Sequence, residues 1–406
     1  MSALATHPAV APHRIADRIS PELELLLACA CRRMSQDRSQ CALGLVDSLD
    51  WSVLLELARE HRLFPLLYWH WTKSLQLSLP AGLASQLDDR FRANAARSLL
   101  LAQELAEVVE RLGRRGIPAV PFKGPALAEC LYGNAALRQC VDLDILIRRR
   151  DVANAIQTLL SAGYGDGKQL TAVQQTAYID TQYEYPLLSP TGLLVELQWR
   201  IVPRYFSLPL DEEQYWSRIQ PLTLCGRQMH SLSPEDLLLF LCIHGGKHGW
   251  QKLIWLADVA ELVVSQVLDW EYVFDQARRA GALRLVLLGV LLASRLLGIP
   301  VPTETESPLA RDRRVERIAE VLVRDLVAGR QPTYMKSQRY LLRVRERWQD
   351  RLRYLFRFTW TATPMEWDMV RLPPSLSGLY RLLRALRGLG KAIAMAGTMV
   401  YRLMRT

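Results

Sequence analysis

The stretch Val141-Asp142-Leu143-Asp144-Ile145-Leu146-Ile147 decides the fold. Its first half alternates carboxylate with aliphatic, the texture of a β-strand whose successive side chains point to opposite faces. Asp142 and Asp144 are therefore predicted to share one face, with Leu143 and Ile145 on the other. A second alternating run, Leu193–Trp199, follows a turn at Thr191-Gly192 and puts Glu196 and Gln198 on one face, Val195 and Leu197 on the other. Around these strands lie an extended run Ile117–Phe122 and Lys123-Gly124-Pro125. A short helix such as Ala126–Leu131 fits next, and a helix Asp151–Ala162 has an acid near its start and Gly163 to end it. Helix and strand interleave over residues 116–230, which indicates a small α/β domain.

The flanks read as helix. Residues 21–115 carry apolar side chains at three- to four-residue spacing, with a helix, turn and helix over Ser48–Trp71. A long amphipathic helix is predicted over Asn94–Leu112, with Leu100, Leu101, Leu105, Val108 and Leu112 on one broad stripe. Beyond the core, Ser233-Pro234-Glu235-Asp236 is a helix start: a capping hydroxyl, proline in the first turn and acids beside it. It opens Leu237–His244, and helical texture continues to about residue 355, punctuated at Ser307-Pro308 and Gln331-Pro332. The resulting division is a flexible segment 1–20, helical 21–115, core 116–230, helical 231–355 and a basic amphipathic tail 356–406.

Half of the 406 residues are hydrophobic, too many for a disordered chain. The formal charge of +10 suggests an acidic partner, but its distribution narrows the suggestion. Residues 301–406 hold 21 Lys/Arg against 10 Asp/Glu, whereas residues 1–300 hold 30 against 31. Seven scattered cysteines form no disulfide framework, and Cys130 and Cys140 lack the second pair that a zinc cluster needs. No charged start followed by an apolar run marks a signal peptide, and no clean membrane span occurs. The compartment expected is reducing and cytoplasmic.

The chemistry centres on Asp142, Asp144 and Glu196. Two acids on one face of a strand, with a third on a neighbouring strand, make a trap of hard oxygen donors suited to Mg²⁺. Lys123-Gly124 ends an extended segment where a glycine lets backbone N–H groups approach phosphate, and the forked donors of Arg138 lie four residues before Asp142. Each feature also has a plainer reading: an exposed strand end, an ion pair for Lys123, a loop anchor for Arg138. Tyr183, Glu184 and Tyr185 read either as acceptor-pocket lining or as a surface turn, with the turn preferred. His244 and His248 are four apart and face one side of a helix, without the third ligand zinc needs. Gly245 and Gly246 suggest close approach to a nucleotide or to the core, and Lys247 and His248 are candidates to face substrate.

Phe122-Lys-Gly-Pro-Ala-Leu-Ala-Glu-Cys-Leu-Tyr-Gly133, Leu137-Arg138 and Val141–Ile147 together resemble the opening of a bacterial nucleotidyltransferase-like family of the DNA polymerase beta-like superfamily. Val195-Glu-Leu-Gln-Trp199 resembles its third-carboxylate strand. Cys242-Ile-His-Gly-Gly-Lys-His-Gly-Trp250, with Leu253, Trp255, Leu256 and Asp258, resembles its helical segment. The resemblance spans roughly residues 20–270 and implies an α+β fold, a polymerase-beta-like core of a mixed sheet with flanking helices, between N-terminal and C-terminal helical regions. It implies Asp142, Asp144 and Glu196 as catalytic metal ligands for Mg²⁺ (or Mn²⁺), and Lys123, Gly124, Arg138, Lys247 and His248 as nucleotide-binding residues. The reaction implied moves an NMP group, AMP from ATP as the first case, to a hydroxyl-bearing small molecule, peptide or protein, releasing pyrophosphate. Against the family pattern, Pro125 has no N–H to offer, Glu196 is a methylene longer than the usual Asp, and Gln198 stands where relatives commonly carry His. The alternative is a catalytically degenerate nucleotide-binding or partner-binding accessory protein.

The last 38 residues contain Arg371, Arg381, Arg384, Arg387, Lys391, Arg402 and Arg405 and no acid. Basic residues at three- to four-residue spacing among Leu379, Leu382, Leu383, Leu386 and Leu389 predict an amphipathic helix, and uncharged Ala392–Tyr401 is too short to span a membrane. An anionic membrane surface or an acidic protein partner, through residues 377–405, ranks above nucleic acid; a helix merely packed on the helical region is the plain alternative.

Overall fold

The structure, a computed structural model, describes residues 19–76, 81–209, 212–370, 372, 376, 378–388 and 390. Residues 1–18 of the N-terminal segment, and Arg371, Leu389, Lys391, Ala392–Tyr401, Arg402 and Arg405 of the tail, lie outside the described residues.

The strands are β1 (Ala119–Pro121), β2 (Asp142–Ile147), β3 (Gly165–Asp166), β4 (Glu184–Leu188) and β5 (Leu194–Gln198), with a separate hairpin β6 (Gln220–Leu224) and β7 (Arg227–Ser231). The first five form one mixed sheet in the order β1-β2-β5-β4-β3, in which β2 and β5 run parallel and the other neighbours antiparallel. Alternation decides how the sheet is covered. Leu143, Ile145 and Ile147 of β2, Val195 and Leu197 of β5, and Tyr185 and Leu187 of β4 are buried in one cluster with Leu101, Leu105, Val108, Ile156 and Leu159. Those partners come from the helices Ala81–Gly113 and Val152–Leu160. The acids take the other face. A register slip of one residue in β2 would drive Asp142 and Asp144 into the apolar layer, so the pairing is strongly specified.

That acidic face looks toward a helical body. Helices from both flanks share one continuous core: Leu25, Leu26 and Leu63 from the N-terminal side with Phe240, Leu256 and Leu288 from the C-terminal side. The start signals work as their chemistry predicts. Ser233 Oγ accepts from Asp236 N–H at the head of Pro234–Lys247, and Asp50 and Ser20 cap Trp51–Glu60 and Pro21–Ala28 in the same way.

Three local expectations need correction. The long helix begins at Ala81 rather than Asn94, and its buried stripe is narrower, because Leu100 is 57% exposed. Adjacent residues differ by about 100° around a helix, so Leu101 faces the sheet and Leu100 turns away. Pro308 does not break the chain but lies inside Thr303–Arg311, while Gln331-Pro332 does fall between two helices. Residue 356 lies inside the helix Trp348–Trp360. Beyond it Tyr380 is buried, Arg384 Nε donates to the Phe358 carbonyl (3.2 Å), and Arg387 pairs with Glu366. Leu382 and Leu386 point outward.

Candidate active site

Parallel pairing sets Asp144 beside Glu196, Asp142 beside Leu194 and Leu146 beside Gln198; antiparallel pairing then sets Gln198 beside Glu184. Four carboxylates and one amide therefore share a face of three adjacent strands. Asp144 is 3% exposed and the other three acids are half-buried. Burial, reinforced by the neighbouring carboxylates, holds Glu196 up at about 8. Burial also raises Glu184 and Asp142, the latter further through Asp144.

Cations offset this crowding. Lys123 Nζ lies 2.7 Å from Asp144 Oδ1, and Gln198 Nε2 donates to the same oxygen. The ammonium lies beside a pair of rings, 5.5 Å from the Phe122 centroid and 5.2 Å from that of Phe240. Lys247 Nζ lies 4.8 Å over the Tyr183 ring, and burial, with Lys123 nearby, lowers it to about 8. Gly124 has a φ of 58°, and a Cβ there would come 3.0 Å from the Asp142 carbonyl, so the glycine lets its helix start against β2. That helix, Gly124–Tyr132, has no side-chain cap.

The remaining candidates fall elsewhere in the architecture. Arg138 gives its fork to Asp258, with Nε 3.0 Å from Oδ1 and Nη2 2.9 Å from Oδ2, and Tyr132 Oη donates to the same carboxylate (3.1 Å). Of its two sequence readings, this geometry matches the loop anchor. His244 and His248 do share a face, with ring centroids 4.9 Å apart, inside an aromatic group: His244 stacks on Phe240 and His248 on Trp255. Burial, with Lys123 and Lys247 beside it, lowers His244 well below its ordinary value and keeps it neutral. Among the described residues no group of three or more His, Cys, Asp or Glu side chains is drawn together closely enough to hold a metal ion.

The glycine pair has a reason other than the one expected. A Cβ on Gly245 would come 2.3 Å from the Trp250 ring, and one on Gly246 2.6 Å from Leu285, so both make room inside the helical body. Gly245→Ala is expected to lower stability by about 1–3 kcal/mol through overpacking, read as a shift of the urea midpoint at unchanged slope.

Three further residues complete this neighbourhood. For Glu184 the sequence prefers a surface turn to pocket lining, yet the Thr191-Gly192 turn fixes a hairpin register that puts it opposite Gln198. Arg62 and Lys252 lie close enough to influence each other, and Arg62 opposes the rise of Asp142. The corner carrying Arg62, at a φ of 59°, is tied to the helix Leu253–Ser265 because Ile254 N–H donates to the His61 carbonyl (3.3 Å). No sequence spacing joins residues so far apart.

A mixed sheet with an acidic face, flanked by helices on both sides in sequence, is a polymerase-beta-like nucleotidyltransferase core. The chain belongs to the family described as uncharacterised nucleotidyltransferase, which matches residues 47–298. Among solved structures it is similar to an antigenic nucleotidyltransferase-like protein from Paracoccidioides brasiliensis, at 16% identity and a TM-score of 0.32, over 51% of this chain and 96% of that one. No curated protein matches the chain. Among the described residues no helix is long and apolar enough to cross a membrane.

Proposed function

We propose that this protein transfers a nucleoside monophosphate from an NTP, with ATP the first case, to a hydroxyl-bearing acceptor. The observation that carries this reading is the register that sets Asp144 against Glu196 on parallel neighbours, with Asp142 and Glu184 on the same face. The donor set suits a hard cation, since every acid offers carboxylate oxygen and no thiolate competes. Asp142, Asp144 and Glu196 would hold Mg²⁺ or Mn²⁺, and the bound ion would neutralise charge on the transferring phosphoryl group and on the departing pyrophosphate.

The chain's own residues account for the rest. Lys123 and Lys247 bind the triphosphate oxygens, and Arg62 and Lys252 extend the same positive border. The Lys123 ammonium lies 2.7 Å from Asp144 and offsets part of the charge of the acidic face. Glu196 accepts a hydrogen bond from the acceptor hydroxyl and orients its oxygen toward the α-phosphorus. That oxygen forms the new P–O bond as its proton passes to the Glu196 carboxylate and the bond from the α-phosphorus to the bridging oxygen breaks, and pyrophosphate leaves. Arg138 acts through the backbone ahead of β2 and His248 borders the site through Trp255. For the basic C-terminal segment we propose attachment to an anionic surface, which outward-facing Leu382 and Leu386 beside Arg381 support.

Two observations favour the degenerate reading: among the described residues no three acids are drawn together closely enough to hold a metal ion, and Asp144 Oδ1 already has two donors, Lys123 and Gln198. Incubation of the full chain with α-labelled NTPs and cell extract separates the two readings. Label is expected to pass to an acceptor in Mg²⁺ and not in EDTA, with one equivalent of pyrophosphate released per label. Binding of nucleotide without transfer from any of the four NTPs would sink the enzymatic reading and leave the accessory one.

A further inference from the structure

A cavity of about 640 Å³ opens at the C-terminal ends of β2 and β5, where Leu146, Ile147 and Trp199 line it. None of Asp142, Asp144, Glu184 or Glu196 borders it. Its described lining instead carries five arginines, Arg149, Arg150, Arg200, Arg204 and Arg357, against two carboxylates, Asp180 and Glu213. The acids are already committed. Asp180 is shared between Arg149 and Arg204, and Glu213 pairs at 3.2 Å with Arg148, which is not part of the lining. Arg200 is held by backbone, its Nη1 donating to the carbonyls of Asp180 (3.1 Å) and Gln182 (3.5 Å). The Arg357 guanidinium has neither a carboxylate nor a hydrogen-bond partner among the described residues. Burial is the main cause that lowers its pKa, and Arg204 and Arg353 nearby add to it.

A second observation concerns Ser207, which lines the cavity, is 2% exposed, and has a buried Oγ with no hydrogen-bond partner among the described residues. Buried hydroxyls are normally satisfied, because an unmet donor and acceptor costs free energy. Ser207 is also held at a φ of 66°, a left-handed conformation that serine adopts only at a cost. Among the described residues, the same cavity thus carries an unpartnered guanidinium, Arg357, and an orphaned hydroxyl, Ser207 Oγ, while its two carboxylates are already paired.

We propose that this cavity is an anion site for the phosphate group of a small phosphorylated molecule, separate from the carboxylate cluster. Arginine forks match phosphate oxygens in pairs, and the Ser207 hydroxyl supplies one further donor. The volume falls in the range that encloses a small ligand rather than a polymer strand.

Titration calorimetry of the full chain with inorganic pyrophosphate, in metal-free buffer of low ionic strength, tests the assignment. Wild-type protein is expected to bind, and Arg357→Gln to bind at least tenfold more weakly. Ser207→Gly relieves the left-handed strain while removing the hydroxyl. It is therefore expected to keep or raise the melting temperature and still weaken binding at least threefold, a combination that a merely structural serine would not produce. The proposal fails if wild-type protein does not bind, or if Arg357→Gln and Ser207→Gly both leave binding unchanged. It fails equally if Lys123→Met, rather than Arg357→Gln, abolishes binding. Tighter, Arg357-dependent binding of a single-stranded oligonucleotide would overturn the small-molecule assignment.

Discussion

Asp144→Asn is expected to lower label transfer from the α-labelled NTP by two to three orders of magnitude or more, the scale on which one preorganised electrostatic contact acts. The substitution keeps the side chain's shape and one oxygen acceptor, so Lys123 and Gln198 retain a partner for their donors. What disappears is a full negative charge facing Glu196 across the parallel pair. Stability should not fall with activity. Burial and crowding by the other acids already hold Glu196 at about 8, and removing one neighbouring charge relieves that crowding. Thermal unfolding in EDTA is therefore expected at or above the wild-type temperature. The stabilisation that Mg²⁺ gives to wild-type protein through preferential binding to the folded state should be lost. A variant that loses activity only because it unfolds would show the opposite: a lower melting temperature with the Mg²⁺ response intact. Full transfer by Asp144→Asn would remove this carboxylate from the catalytic set.

How much of this was open to sequence reading depended on the distance over which each interaction acts. Alternation in Asp142-Leu143-Asp144-Ile145 and in Val195-Glu196-Leu197-Gln198 assigns each side chain a face, because the period of a strand is a local property. The Ser233 cap is equally local, involving a hydroxyl and an N–H three residues on. Glu184 marks the first limit. Its neighbourhood depends on hairpin register, and a short polar run before a turn looks the same whether its acid faces water or Gln198. Gly245 and Gly246 mark the second: small size is visible in sequence, but the Trp250 ring and Leu285 that require it are matters of packing. Arg62 marks the third, since it approaches Asp142 only because the N-terminal helices share a core with those after residue 234. Leu100 failed differently, by one helical step in the width assigned to an apolar stripe.

Asp258→Ala is expected to cost about 3–5 kcal/mol of stability, the range found when one member of a buried ion pair is removed. Asp258 is fully buried and accepts from both ends of the Arg138 fork and from the Tyr132 hydroxyl, so truncation strands a guanidinium and a phenol in the interior at once. The cost lies mainly in the uncompensated charge rather than in the lost contact. The double variant Arg138→Met, Asp258→Leu, which replaces the pair by apolar groups of similar length, is therefore expected to recover most of the loss in urea unfolding. The same pair of variants decides what Arg138 does. Arg138 lies four residues before Asp142, so a buried tether here positions the start of β2 without touching substrate. If Arg138 acts as that tether, the double variant regains NTP affinity together with stability. If instead its fork grips a triphosphate oxygen during the reaction, stability returns while nucleotide affinity stays at least tenfold weaker, because methionine has no donor to offer.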